Sequence, residues 1–79
     1  MTGHKHTGLI ALREDYNLSQ SGLAEKLGTT KVYISQVENM YIRGNLKFWG
    51  AVKLYFEISD DDIWKLKDNT LDVTKYISE

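Results

Sequence analysis

Residues 18–39 decide the fold, and their sequence is LSQSGLAEKLGTTKVYISQVEN. Ser19 is a residue type that accepts a hydrogen bond from a free amide at a helix start, and apolar residues follow it at helical spacing. Gly28 suits the left-handed backbone that ends a helix and turns the chain sharply. Thr30 then offers a hydroxyl cap for another helix. The stretch therefore predicts two short helices joined by a glycine turn.

Apolar periodicity predicts three more helices around this pair. The first covers about residues 5–16, the fourth about residues 46–57, and the fifth begins at the cap and carboxylates of residues 59–62. Residues 39–45 are polar and contain a glycine, so a loop is predicted there. The residues predicted to face the core of these three helices are Leu9, Leu12, Tyr16, Leu46, Trp49, Val52, Phe56, Ile58, Ile63 and Leu66.

The pattern changes after the fifth helix. Leu71 and Val73 alternate with Asp72 and Thr74, which is typical of a short strand or an extended arm. Such an arm either pairs with its twin across a dimer axis or folds back on its own domain. We therefore predict an all-α, five-helix domain over residues 1–67, followed by a C-terminal tail or dimerisation arm over residues 68–79.

Composition excludes several classes of chemistry. The chain of 79 residues has no cysteine, so it has no disulfide, thiolate zinc site or cysteine nucleophile. No stretch approaches the roughly 18 apolar residues of a membrane span. His4 and His6 are expected to lie in a flexible terminal tail, and the Asp60–Asp62 run is expected to cap a helix and bind no metal. We therefore predict a cytoplasmic protein that is not an enzyme and uses no metal or cofactor.

Charge is distributed unevenly along the chain. The formal net charge is −1, yet residues 1–47 hold six basic and four acidic residues, while residues 48–79 hold four basic and seven acidic ones. The N-terminal part is therefore mildly basic and the C-terminal part acidic.

Residues 18–39 resemble the DNA-binding core of the Cro/repressor-type helix-turn-helix proteins, the xenobiotic response element family. The shared pattern is Leu-Ser-Gln, Leu-Ala, Leu-Gly, Ile-Ser and a final Glu-Asn, and a weaker resemblance extends over residues 9–66. It implies that Gln20 contacts a DNA phosphate and braces the recognition helix. It also implies an ion pair, partly buried, between Arg13 and Glu38. Met40 departs from the glycine of many relatives, so either Asn39 or Met40 must end the third helix.

The resemblance makes the third helix the recognition helix, which would enter the major groove. Lys31 can donate to guanine, Gln36 can pair with adenine, and Val32 can touch a thymine methyl group. Tyr33 can reach a phosphate or a base, and polar residues near the loop, including Tyr41, Asn45 and Lys47, can hold the backbone. The predicted DNA-binding residues are Gln20, Thr30, Lys31, Val32, Tyr33, Ser35, Gln36, Asn39 and Arg43.

These residues predict a sequence-specific transcriptional regulator, a repressor that binds a palindromic operator on double-stranded DNA as a homodimer. Three alternatives remain open. One is the antitoxin of a toxin pair, with a basic toxin as partner, and another is a restriction–modification controller. The third is a protein-interaction module without DNA binding, which the low net charge favours.

Overall fold

Five α-helices make up most of the chain in the computed structural model, which describes residues 5–77. Helices α1 to α5 and a terminal 3₁₀ helix follow one another without a strand in this part of the chain, which confirms the all-α prediction. Their bounds are Thr7–Asp15 for α1, Gln20–Leu27 for α2, Lys31–Glu38 for α3, Leu46–Phe56 for α4, Asp60–Lys67 for α5 and Val73–Tyr76 for the 3₁₀ helix.

Local side-chain caps start all five α-helices. The side chain at each N-cap accepts a hydrogen bond from a backbone amide three residues further on, which satisfies one of the free donors of a helix end. Gly28 ends α2 with φ 73°, in the left-handed region. Because these hydrogen bonds join residues that are close in sequence, the boundaries of the two helices and of the turn between them can be predicted from the sequence alone. The five capping residues are His6 for α1, Ser19 for α2, Thr30 for α3, Asn45 for α4 and Ser59 for α5.

The core lies where the apolar faces of all five helices meet. Most of the predicted core residues are buried, but Leu46 is exposed and Phe48 takes its place. Leu46 lies about 120° around α4 from Val52, outside the buried stripe. Tyr16 caps the end of α1 and is partly exposed. The buried apolar residues are Leu9, Leu12, Leu23, Ala24, Ile34, Val37, Phe48, Trp49, Val52, Phe56, Ile58, Ile63 and Leu66.

The C-terminal segment is not a strand, so that prediction is wrong. The Asp72 carboxylate accepts hydrogen bonds from both the backbone amide and the hydroxyl of Thr74, which winds the chain into the 3₁₀ turn. Leu71 and Val73 pack against the core of their own chain. The segment therefore folds back on its own domain, because a local cap and nearby apolar surface replace the strand partner it lacks.

Tyr76 anchors this segment to the start of α5. Its hydroxyl donates to Asp62 Oδ2 at 2.6 Å and accepts from the Ser59 amide at 3.2 Å, while Lys75 Nζ lies 2.8 Å from the same carboxylate oxygen. The Lys75 ammonium, and next the Tyr76 hydroxyl, lower the pKa of Asp62 to about 2. Asp62, an acidic residue in the first turn of α5, is therefore an anchoring site for the C-terminal segment.

His6 is buried, and its predicted place in a flexible tail is wrong. Its Nδ1 accepts from the Leu9 amide at 3.2 Å as the N-cap of α1, and its own amide donates to the Glu38 carbonyl at 2.8 Å. Its ring lies 5.2 Å from the ring of Trp49. His6 thus joins the start of α1 to the end of α3. His4 lies outside the described residues.

Two helices end on residues that glycine would suit better. Met40, just after α3, has φ 62°, and Glu57, the C-cap of α4, has φ 57°. A left-handed backbone costs most residue types about 1 kcal/mol. Glu57→Gly is therefore expected to raise the free energy of unfolding by about 1 kcal/mol, measured by urea denaturation. Asn17→Gly, at φ 57°, is the control and should change it less because asparagine tolerates this conformation. A destabilised Glu57→Gly would contradict the interpretation.

Candidate nucleic-acid interface

Helix α3 presents one exposed polar face and one buried apolar face. Lys31, Val32 and Gln36 are exposed, with Val32 64% accessible to solvent. Ile34 and Val37 on the opposite face are almost fully buried. Within residues 5–77, the side chains of Lys31 and Gln36 make no hydrogen bond or ion pair. Their donors and acceptors are therefore free for an external partner.

Packing fixes the orientation of α3. Its most extensive helix contact is with α2, and it also contacts α1. The Thr30 hydroxyl accepts from the Tyr33 amide at 3.1 Å, which sets the first turn of the helix. Since the exposed residues lie on the first two turns, they are in the part of a recognition helix that reaches base edges.

A buried polar cluster braces α3 against α1 and α2. The Glu38 carboxylate accepts from Arg13 Nε at 2.6 Å, from Arg13 Nη2 at 3.1 Å and from Gln20 Nε2 at 2.9 Å. Arg13 Nη1 also donates to the Leu18 carbonyl at 2.8 Å. The side chains of Arg13 and Glu38 are only 13% and 4% exposed, so this pair is shielded from water. Gln20 thus lies in a bracing position, at the start of the helix that precedes the turn.

Tyr33 connects α3 to the start of α4. Its hydroxyl accepts from the Asn45 amide at 3.0 Å, and its ring lies 5.2 Å from that of Phe48. The phenol proton is still available to a phosphate or base because this contact uses only an oxygen lone pair. The structure therefore gives Tyr33 a positioning contact in addition to its predicted role at DNA.

Ser35 and Asn39 bond to each other at the end of α3. Asn39 Nδ2 donates to the Ser35 carbonyl at 2.9 Å and approaches its hydroxyl at 3.3 Å. Asn39 Oδ1 accepts from Lys5 Nζ. Asn39 is also the C-cap of α3, so it ends the helix, and Met40 adopts the left-handed turn after it. Both predicted contact residues thus help to shape the end of α3.

The loop after α3 adds exposed cationic and aromatic groups. Arg43 Nη2 lies 2.9 Å from Asp68 Oδ1, but their side chains are 73% and 58% exposed, so the pair is weak and easily exchanged for a phosphate. Tyr41 is the most exposed aromatic residue of this loop, and Lys47 is exposed in the first turn of α4. The side-chain oxygen of Asn45 already accepts a hydrogen bond from the Phe48 amide, because Asn45 caps α4.

The described residues show no site for a metal and no membrane helix. No group of three or more histidine, aspartate or glutamate side chains among residues 5–77 could hold a metal ion. Over the same residues, no helix has the length and apolarity needed to cross a bilayer. The features that stand out are the exposed face of α3 and its polar supports.

The fold and this interface define a helix-turn-helix DNA-binding domain. A family model described as helix-turn-helix matches residues 9–45, which contain α1, α2, α3 and the following loop. Residues 9–45 are a helix-turn-helix of the Cro/C1 type, the family that the sequence resembles. The members of this family are DNA-binding domains of transcription regulators, and the family is not an enzyme family. Neither a curated protein nor a solved structure matches the chain.

Sequence reasoning missed two residues that support the site from outside it and one that anchors the C-terminal segment. His6 bonds to the end of α3, Phe48 packs against Tyr33, and Asp62 anchors the C-terminal segment. Phe48 could have been found from its spacing with Val52 and Phe56. His6 and Asp62 carry no such signal, since their burial depends on partners far along the chain.

Proposed function

We propose that this protein is a cytoplasmic repressor that binds a palindromic operator as a homodimer and reads it with α3 in the major groove. The observation that carries the proposal is the exposed set Lys31, Val32 and Gln36 on a helix whose other face is buried. Among residues 5–77, the side chains of Lys31 and Gln36 have no hydrogen-bond or ion-pair partner. An exposed valine between two unpaired polar side chains is poorly suited to water but well suited to a groove that offers both acceptors and a thymine methyl group.

We assign the recognition of DNA bases to these three residues. Lys31 donates to the O6 and N7 atoms of guanine, Gln36 pairs with N6 and N7 of adenine, and Val32 contacts the thymine methyl group. We assign the phosphate contacts to groups around them, chiefly Gln20, Arg43 and the first turn of α4. These contacts orient the protein on DNA but do not distinguish one base sequence from another. Repression follows where the operator overlaps a promoter.

Two copies are needed because one half-site offers too few contacts. The chain has a net charge of −1, so it gains little general attraction to DNA. The described part of the molecule measures 28 by 28 by 26 Å. Two such bodies side by side have centres about 28 Å apart, which is compatible with α3 helices spaced by one DNA turn, about 34 Å. A dimer that contacts both half-sites at once binds DNA far more tightly than one copy binds one half-site.

The proposal is tested first by selecting bound sites from random duplexes and then by measuring variants on the selected site. Lys31→Ala and Gln36→Ala are each expected to weaken the preferred site by about 1–3 kcal/mol while barely changing binding to random DNA. Lys65→Ala is the matched control, because it removes one exposed lysine from α5 and should leave specific binding unchanged. Binding is measured by fluorescence anisotropy at fixed salt.

Two results would refute the proposal. Equal losses on specific and random DNA would show that Lys31 and Gln36 contact phosphate only. Absence of any salt-sensitive binding to random duplexes would instead favour a protein-interaction module. The repressor role is tested separately by placing the selected site over a promoter in a reporter, where expression should fall when the protein is present.

A further inference from the structure

A cavity of about 250 Å³ lies between the end of α3, the loop after it and the end of α5. We call it the His6 cavity, after the most deeply buried polar residue that lines it. His6 is 2% exposed, whereas the side chains of Arg43 and Asp68, which also line the cavity, are 73% and 58% exposed. The cavity therefore has a buried end at His6 and an open end at Arg43 and Asp68.

The buried end holds a hydrogen-bond donor that lacks an acceptor. Because Nδ1 of His6 accepts from the Leu9 amide, the proton of the neutral imidazole lies on Nε2. Nε2 is buried and has no hydrogen-bond partner among residues 5–77. An unpaired N–H in a protein interior is unfavourable, and such groups are nearly always paired. This donor therefore calls for an acceptor from outside the chain.

The charged groups of the cavity favour an anion. Arg43 Nη2 lies 2.9 Å from Asp68 Oδ1, so these two charges compensate each other. Lys67 also lines the cavity and has no ion pair among residues 5–77, where its Nζ lies 5.7 Å from the centre of the Trp64 ring. The lining thus carries one uncompensated positive charge. A carboxylate supplies the negative charge that Lys67 lacks and an acceptor for a buried N–H.

Met40 contributes to the apolar part of the lining from a backbone position that disfavours it. Val37, Met40 and Ile42 are the apolar residues of the cavity. Met40 has φ 62°, a left-handed conformation in which glycine would be less strained. A glycine there would remove a flexible side chain from the lining, and methionine is the residue type that adapts best to apolar ligands. The lining therefore suits a ligand with an apolar body.

We propose that the His6 cavity binds a small organic monocarboxylate with an apolar body. The carboxylate accepts from Nε2 of His6 and pairs with Lys67, while the body packs against the apolar lining. The ligand is small because the cavity is smaller than the sites of drug-sized molecules. Inorganic phosphate would leave the apolar lining uncovered, and a dicarboxylate would meet repulsion from Asp68.

Occupation of the cavity is expected to weaken operator binding, a consequence that rests on the proposed function. Arg43, which we assign to a DNA phosphate, lines the same cavity. A bound carboxylate places a negative charge near this guanidinium and competes with the phosphate for it. By linkage, operator DNA lowers the affinity for the carboxylate by the same factor. The site is thus a means by which a small acid controls the proposed repressor.

Binding is tested on the full chain without DNA, by NMR titration with benzoate and with 4-methylpentanoate. We expect saturable shifts of the Met40, Ile42 and Arg43 amides and of the His6 imidazole, with Kd below about 1 mM. Benzamide, which has the shape of benzoate without its charge, is expected to bind at least about tenfold more weakly. Absence of saturable shifts with both acids would show that the cavity holds only water, and would overturn the proposal.

Two variants and a control assign the contacts. Lys67→Gln is expected to weaken benzoate binding at least about fivefold, while Lys65→Gln, which removes an exposed charge from the same helix, should leave it unchanged. Met40→Gly is expected to weaken it at least about fivefold although the free energy of unfolding rises, because glycine relieves the left-handed backbone. A loss of binding together with a gain in stability distinguishes a ligand contact from a structural role. Unchanged benzoate affinity in both variants would overturn the proposal.

The effect on DNA is measured separately. Fluorescence anisotropy compares operator affinity in sodium benzoate and in sodium chloride at the same ionic strength, and benzoate is expected to lower it at least about fivefold. A protein that binds benzoate but no DNA refutes the proposed function and leaves the ligand site standing. Operator affinity that is equal in the two salts refutes the coupling between the sites.

Discussion

Replacing Glu38 with leucine is expected to lower the free energy of unfolding by about 3–5 kcal/mol, the range found when one partner of a buried ion pair is removed. Arg13 would keep its charge in a site where its side chain is only 13% exposed, with the Leu18 carbonyl as its remaining described acceptor. Gln20 would lose its acceptor as well. Urea denaturation at pH 7 measures the change.

A double-mutant cycle shows whether the effect belongs to the pair. Arg13→Met should also destabilise the protein, and the double variant should lose less than the two single losses added together, because no unpaired charge is left. The exposed pair Arg43 and Asp68 provides the control: the same type of cycle there should give a coupling below about 1 kcal/mol. A coupling below about 0.5 kcal/mol between Arg13 and Glu38 would show that this pair does not stabilise the fold.

This cluster also matters for the position of α3, the proposed recognition helix. Glu38 is the last residue of α3, and its carboxylate joins a residue of α1 to the first residue of α2. Loosening it frees the end of α3 from both neighbours. We therefore expect that those Glu38 variants that remain folded bind the proposed operator more weakly, although Glu38 is buried and is not a predicted DNA contact.

The helices could be predicted from sequence because the signals that set them are local. Ser19, Thr30 and Ser59 each cap a helix within three residues, and Gly28 turns the chain by its own conformational freedom. The starts of these helices therefore follow from neighbouring residues, with errors of only one or two positions. The recognition face of α3 follows from the same periodicity.

The failures share one cause, which is that the deciding partner is distant in sequence. Alternation at Leu71 and Val73 is compatible with a strand, but no second strand exists in the described chain, and Asp72 instead caps a 3₁₀ turn. The sequence does not show whether Leu46 or Phe48 lies on the buried face of α4, because this depends on how α4 packs against α2, α5 and the Tyr33 ring. Tyr33 stays a predicted DNA contact, and its hydrogen bond with the Asn45 amide is a further contact that the sequence pattern does not indicate.

His6 is the clearest of these cases, and its replacement by alanine is expected to cost about 3 kcal/mol of stability. About 1 kcal/mol comes from the lost N-cap of α1, and the rest comes from the cavity left beside Trp49. Thermal and urea unfolding at pH 7.5 measure the loss.

His6→Asn is the matched variant, because asparagine is a favoured N-cap but lacks the ring. It should fall between the wild type and His6→Ala. If His6 lay in a flexible tail, neither substitution would change the free energy of unfolding. That result would contradict the buried placement of His6.

Burial of the His6 imidazole also makes the stability of the fold depend on pH. Burial lowers the pKa of His6 below its usual 6.5, and this outweighs the nearby backbone carbonyls of Lys67 and Leu66 and the charge of Glu38, which all raise it. Its Nδ1 must stay unprotonated to accept from Leu9, and Nε2 has no hydrogen-bond partner among the described residues.

The unfolded chain therefore takes up a proton near pH 6.5 while the folded chain does not, so stability is complete above about pH 6.5 and declines as the pH falls toward the lowered pKa. Asp62, with its pKa of about 2, loses its contribution only in much stronger acid, below its ordinary pKa of 3.8. Wild-type protein should consequently lose stability between pH 6.5 and pH 5, whereas His6→Asn should lose far less over the same interval. Equal losses in the two proteins would assign the acid sensitivity to a group other than His6.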